Sequence, residues 1–225
     1  MPLTPELARW RKAERARLIE QRIAAPAAEH ARWSAAIDAL LRQACPFGTG
    51  WVVGLCWPFQ AEFDARPVAE YFRAQGARLA LPVVLAKAQP LEFREWWPGA
   101  TLESGVYGLM VPRGTPVVVP DALMVPPVGI GCLGDRLGYG GGFFDRTLAS
   151  LDPRPITVAH AFELSRIPTT HPQSHDIRMD FLVTETGVEA AVAGGLERVT
   201  PEECRARATR LAAARALPRR RMPAG

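Results

Sequence analysis

The chemistry-capable positions of this chain concentrate in one ten-residue stretch, Arg136-Leu-Gly-Tyr-Gly-Gly-Gly-Phe-Phe-Asp145. A glycine run that leads from an apolar strand into a helix lets backbone N–H groups approach an anion without Cβ contact. The helix dipole adds a potential favourable to phosphate. The same glycines also suit a sharp strand-to-helix turn that binds nothing, and on these residues alone both readings stay open. Two fingerprints are absent. Phe143 stands where a GxGxxG pattern needs its third glycine, and no Gly-Lys-Ser/Thr triplet occurs, which disfavours a Rossmann dehydrogenase and a P-loop NTPase. His171 and His175 are spaced i, i+4, but Pro172 interrupts a continuous helix between them, so they are not read as metal ligands. Cys45, Cys56, Cys132 and Cys204 form no CxxC pair, which points to buried free thiols.

These residues must be held by a scaffold. The 225 residues are 48% hydrophobic and 22% charged, the composition of an ordinary globular protein. No apolar run reaches the roughly 20 residues that span a bilayer, and the Arg-rich N-terminus lacks a signal peptide's apolar centre, so a cytoplasmic location without membrane contact is expected. The net charge of +4 comes largely from arginines near the two ends, which flank the apparent core without forming a basic face, and no aromatic-basic RNA motif is present. Nucleic acid is not an expected partner.

Helical periodicity predicts a first helix over 5–23, with Leu7, Trp10, Leu18 and Ile23 on one face, and a second over 27–44, carrying Trp33, Ile37, Leu40 and Leu41. The apolar run 51–57 reads as a strand buried on both faces. A helix from Asp64 to Ala74 and a strand over 78–85 complete a β-α-β unit. Further strands are expected at 91–96, 122–128, 156–162 and 180–185, with a helix over 142–151. The alternation gives an α/β fold with a mostly parallel sheet flanked by helices. Thr200-Pro-Glu-Glu203 resembles a capping box opening a helix over 201–216. Residues 187–225 read as an extension with this one helix and a frayed basic tail, and truncation after Thr186 is expected to leave catalysis largely intact.

The ten-residue stretch resembles the Arg-Leu-Gly-x-Gly-x-Gly-Tyr-Tyr-Asp pattern of the 5-formyltetrahydrofolate cyclo-ligase family, departing only where Phe143 and Phe144 replace tyrosines. The resemblance covers about residues 7–185, within a domain drawn at 1–186 that includes the two N-terminal helices. It implies a single three-layer domain of the NagB/RpiA/CoA-transferase-like type and an ATP-dependent ligase closing 5-formyltetrahydrofolate to 5,10-methenyltetrahydrofolate. A paralogue that kept the loop but lost turnover is the alternative. Arg11-Lys-Ala-Glu-Arg15 looks like the family's Lys-x-x-x-Arg pattern, and cations four apart share a helix face. The resemblance assigns Arg11, Lys12, Arg15, Arg136, Leu137, Gly138, Tyr139, Gly140, Gly141, Gly142, Phe143 and Phe144 to ATP, with Arg136 and Tyr139 in the chemistry. It assigns Trp57, Glu62 and Tyr107 to the folate, because a carboxylate at 62 can accept the paired donors of a pterin edge. Asp145 and Asp176 are assigned to Mg²⁺, which takes one or two carboxylates plus phosphate oxygens. The expected partner is a reduced folate, polyglutamylated or not, bound by a monomer or weak homodimer. Glu62 is expected at the end of the first strand, across the site from the glycine loop.

Overall fold

The computed structural model describes residues 4–215. The expected basic tail, 218–225, and Leu217 lie outside them. Thr4 caps α1 (Pro5–Ala24) by accepting Leu7 N–H at 3.3 Å, and α2 follows at Ala27–Ala44. The elements then run β1 (Val52–Gly54), α3 (Arg66–Ala74), β2 (Arg78–Val83), β3 (Glu92–Trp96), β4 (Leu102–Ser104), β5 (Met110–Pro112) and β6 (Ala122–Val125). After β7 (Gly129–Ile130) and β8 (Arg136–Leu137) come α4 (Phe143–Ser150), β9 (Ile156–His160), β10 (Phe181–Thr184), β11 (Gly187–Val192), β12 (Gly195–Val199) and α5 (Pro201–Ala214).

The main sheet has eight strands in the order β12-β11-β10-β9-β6-β1-β2-β3. Its middle, from β10 through β9, β6 and β1 to β2, is parallel, while β3, β11 and β12 join antiparallel at the two edges. Alternation along the central strands divides the core. Ala122 and Met124 of β6 face a cluster under α2, α3 and α5, whereas Leu123 and Val125 face a second cluster that includes Leu148 of α4. Successive strand side chains point to opposite faces, so a strand apolar at every position demands helices on both sides. The result is a three-layer α/β domain, as expected. The carboxyl ends of β1, β6, β9 and β10 share one edge of the sheet, where open α/β sheets hold their ligands.

The structure corrects four expectations. First, residues 187–199 are not an appendage: β11 pairs with β10 and β12 with β11, and Val188, Ala190, Val199, Cys204, Ala208 and Ala212 are buried in the main core. Thr200 does cap α5, accepting Glu203 N–H at 3.1 Å. Second, α1 turns Arg11, Leu18 and Arg22 inward and leaves Ile23 57% exposed. This helix covers polar loops, with Leu18 in a small cluster beside Val128, Leu137 and Ile167, and Trp10 and Ile19 packed against it. Third, Cys132 is exposed and Cys56 only partly covered, while Cys45 and Cys204 are buried free thiols. Fourth, the predicted strand over 51–57 is paired only at Val52–Gly54, and its carboxyl continuation becomes the loop that carries Trp57 and Glu62.

Candidate functional site

The glycine loop closes as expected onto the N-terminus of α4. Gly140 and Gly142 have φ of 95° and 62°, the left-handed region where a Cβ is strained. Each lies beneath an arginine head. A Cβ on Gly140 would come within 3.3 Å of Arg15 Cζ, and one on Gly142 within 2.7 Å of Arg146 Nη1. Arg15 Nε donates to Gly138 O at 2.6 Å, and both terminal nitrogens of Arg146 donate to Gly141 O at 2.8 Å. Burial, with Arg11 nearby as a second cause, pushes Arg15 below the usual arginine value. An anion placed against this loop would relieve that repulsion. The first N–H groups of α4, unpaired within the helix, complete a cradle of backbone donors with two guanidinium groups at its rim.

Other residues assigned to ATP have different surroundings. Arg136 is 8% exposed; its Nη2 donates to Asp145 Oδ1 at 2.7 Å and its Nη1 to Ile177 O at 2.6 Å. It braces the base of the loop. Arg11 braces a neighbouring segment, donating from Nε to Thr170 O at 3.2 Å and from Nη2 to His171 O at 2.9 Å and Asp176 Oδ2 at 2.7 Å. Lys12 is exposed, a hundred degrees round the helix from Arg11. Leu137 is buried, anchoring the loop rather than facing it. Phe144 packs beside the second core cluster with Arg136 Cζ 5.9 Å from its ring centre, so a hydrophobic ring suits this position without a phenol. Phe143 meets Tyr107 edge to face at 6.2 Å. This brings the exposed Tyr107, on the connection between β4 and β5, to the rim of the loop.

Asp145 and Asp176 are brought to neighbouring positions, because Ile177 N–H donates to Asp145 Oδ1 at 3.0 Å. Burial pushes Asp176 up, but Gln173 N–H and the Arg11 guanidinium outweigh it and hold the carboxyl below its ordinary value. Hydrogen bonds from described residues fall on Oδ1 of Asp145 and on Oδ2 of Asp176, whose Oδ1 lies 3.6 Å from the largely exposed His175 Nε2. An all-oxygen pair of this kind fits Mg²⁺, which retains several waters and draws its remaining ligands from phosphates. Among the described residues no group of three or more His, Cys, Asp or Glu is placed to hold a metal.

Glu62 is closer to the loop than the sequence placed it. The Tyr139 hydroxyl donates to Glu62 Oε1 at 2.6 Å, and Phe59 N–H donates to Oε2 at 3.0 Å. Burial raises the Glu62 carboxyl above its ordinary value, an effect that Tyr139, Arg22 and the Phe59 N–H oppose. Arg22 was missed by periodicity, as was Arg146. Trp57 sits on the far end of the same segment, edge to face with Trp96 at 6.1 Å and beneath the Arg66 guanidinium at 4.5 Å. There it lines an open cleft of about 470 Å³ with Asp64, Arg66, Glu70, Trp96 and Leu102. The segment 57–64 and the β4–β5 hairpin thus run from an aromatic cleft at one end to the glycine loop at the other.

Residues 8–185 match the model of the 5-formyltetrahydrofolate cyclo-ligase family. The chain is 31% identical over 140 residues to a 5-formyltetrahydrofolate cyclo-ligase of Escherichia coli (strain K12), spanning 58% of this chain and 75% of that one. It is 35% identical over 123 residues to a 5-formyltetrahydrofolate cyclo-ligase of Mycolicibacterium smegmatis, spanning 48% and 60% respectively. Among solved structures it is similar to the 5,10-methenyltetrahydrofolate synthetase of Aquifex aeolicus, with a TM-score of 0.66 and 26% identity over 79% of this chain and 91% of that one.

Proposed function

The chain belongs to the 5-formyltetrahydrofolate cyclo-ligase family, and we propose that it uses Mg²⁺ and ATP to close 5-formyltetrahydrofolate into 5,10-methenyltetrahydrofolate, releasing ADP and phosphate. The observation that carries the nucleotide half of this reading is the glycine loop with Arg15 and Arg146 over its two left-handed glycines. Phosphate oxygens fit against the bare backbone, and the two guanidinium groups neutralise them. Mg²⁺ held by Asp145 and Asp176 would supply further charge neutralisation at the phosphates. No membrane-crossing helix is present among the described residues, in keeping with a cytoplasmic folate enzyme.

In the chemistry proposed, the formyl oxygen of the substrate attacks the γ-phosphorus and ADP leaves. N10 then attacks the activated formyl carbon, its proton is lost, and phosphate departs with the former formyl oxygen. Nothing in this sequence requires a protein nucleophile. The chain's contribution is positioning and electrostatic stabilisation. Arg15, Arg146 and the loop amides hold the transferring phosphoryl group. Arg136 and Arg11 orient Asp145 and Asp176. Glu62 accepts from the pterin's amino-pyrimidine edge, and Tyr107 and Trp57 offer aromatic surface to the folate.

The two halves of the site should separate under substitution. Glu62→Gln keeps size but loses charge, so titrations should show folate affinity falling about ten- to a hundredfold, the equivalent of roughly 1.5–3 kcal/mol for a charge-assisted hydrogen bond. ATP affinity should change far less. Asp145→Asn should weaken Mg-ATP first. Glu62→Gln protein that binds 5-formyltetrahydrofolate as tightly as the parent would sink the folate assignment of this segment.

A further inference from the structure

One buried cation takes no part in the chemistry above. Arg22, on the inward face of α1, is 3% exposed. Its Nε donates to Gln60 O at 2.9 Å and its Nη2 to the Tyr139 hydroxyl at 2.9 Å. That hydroxyl gives its own proton to Glu62 Oε1, and Arg22 Nη2 lies 3.8 Å from the same oxygen. A single guanidinium therefore touches the glycine loop, the turn before Glu62 and, through space, the carboxylate itself.

The turn needs holding. Gln60 and Ala61 adopt φ of 49° and 58°, a conformation disfavoured for residues with a Cβ that persists only where the surroundings impose it. Arg22 clamps it from α1 through Gln60 O, and His30 Nε2 meets Ala61 O at 3.1 Å from α2. Gln60 and Ala61 are themselves exposed, so this strain is imposed by the side chains that hold the turn, a mark of functional placement rather than of fold stability.

We infer that Arg22 is a positioning residue for the folate-binding carboxylate, holding the Gln60–Ala61 turn and Tyr139 so that Glu62 is presented ionised and aimed at the pterin. The inference rests on the reading of Glu62 given above. It also ties the nucleotide loop to the folate subsite, because Tyr139 belongs to one and bonds the other. Among the described residues, the ionisable groups around Glu62 are Tyr139 from the loop, Arg22 from α1, Cys56 on its own segment and His30 of α2 at the adjoining Ala61 carbonyl. Burial raises Glu62; Arg22 is one of the groups that pull it down. Removing Arg22 therefore moves protonation of Glu62 to higher pH. A protonated carboxyl is a poorer acceptor, so folate use should fail as pH drops through the raised value and recover above it.

The test is Arg22→Met, read in two ways. The first is the pH profile of kcat/KM for 5-formyltetrahydrofolate at saturating Mg-ATP. The second is the ¹³C carboxyl titration of Glu62 in the ligand-free protein, its resonance identified by loss in Glu62→Gln. The acid limb and the Glu62 midpoint should both move up by about one pH unit, an approximately tenfold loss on the acid side, with activity recovering on the alkaline side. A loss uniform across pH with the midpoint unmoved would overturn the inference, as would parental behaviour in both readings. Should Arg22→Met fail to fold, Tyr139→Phe cuts the same relay and must raise the Glu62 midpoint; an unmoved midpoint there overturns it equally. A parent protein without cyclo-ligase turnover would fail the proposed function, while the carboxyl titration would still decide the role of Arg22.

Discussion

A chain ended after Thr186 is expected to yield no soluble protein with a cooperative melting transition. Such a deletion removes β11, β12 and α5, and with them the buried side chains of Val188, Val199, Cys204 and three alanines. Each fully buried valine contributes roughly 1.5–3 kcal/mol, and the stability of a whole domain is only about 5–15 kcal/mol. The loss does not stop at the deleted residues. Phe181 and Val183 of β10 would lose their cover, and β10 itself would become an apolar edge open to pairing with other chains. Asp180 would also lose Arg215, whose Nη2 donates to it at 2.6 Å and whose Nη1 donates at 2.9 Å. Expression followed by a thermal melt is the check. A truncated protein that stays soluble and melts within a few degrees of the parent would show that these strands and α5 add little to the core.

The second large effect is expected at Gly140. Valine there meets a φ of 95° and a guanidinium within 3.3 Å of its Cβ, and its branched side chain fills the space a phosphate oxygen needs. Arg15 must move, and the loop must abandon its left-handed turn. Losing two charge-assisted contacts of roughly 1.5–3 kcal/mol each corresponds to about a hundredfold or greater loss of Mg-ATP affinity. Gly140 lies on an exposed loop, so the circular dichroism spectrum and melting temperature should change little. Calorimetric titration of Gly140→Val with Mg-ATP checks this, and unaltered affinity would remove the loop from the nucleotide site.

Much of this architecture is legible from residue pattern. The run before Pro58, the helix read from Asp64 to Ala74, which begins at Arg66 with Ala65 at its N-cap, and the following apolar strand mark a β-α-β unit. The Ile37 and Leu41 stripe orients α2, and Thr200 to Glu203 announces α5. What escapes has identifiable causes. β4, β5, β7 and β8 have two or three residues each, too few for a period-two signal. β3 joins β2 antiparallel, a direction that an alternating sequence does not disclose. The hairpin over 187–199 turns through Ala193 and Gly194, and Gly195, which reads as a loop residue, begins the second strand.

α1 misleads for a more instructive reason. Apolar residues locate the buried face of a helix only where it lies against a core, and α1 lies against the site. Its inward stripe is Arg11, Arg15, Leu18 and Arg22, so a polarity rule finds Leu18 but misplaces Ile23 and overlooks the buried arginines. The spacing of the arginines themselves, four and then seven apart, places them on one face and was the available signal. The glycine turn into α4, by contrast, was readable because its glycines are dictated by backbone geometry. The Glu62 bond to Tyr139 was not legible, since 77 residues separate the two in sequence.

The central claim is tested most directly by the appearance of the methenyl product. Purified protein, Mg²⁺, ATP and 5-formyltetrahydrofolate should produce the absorbance of 5,10-methenyltetrahydrofolate, one ADP released for each product formed, with no signal when ATP is omitted. Protein that binds Mg-ATP and folate yet forms no methenyl product would contradict the account and leave a nucleotide-binding paralogue in its place.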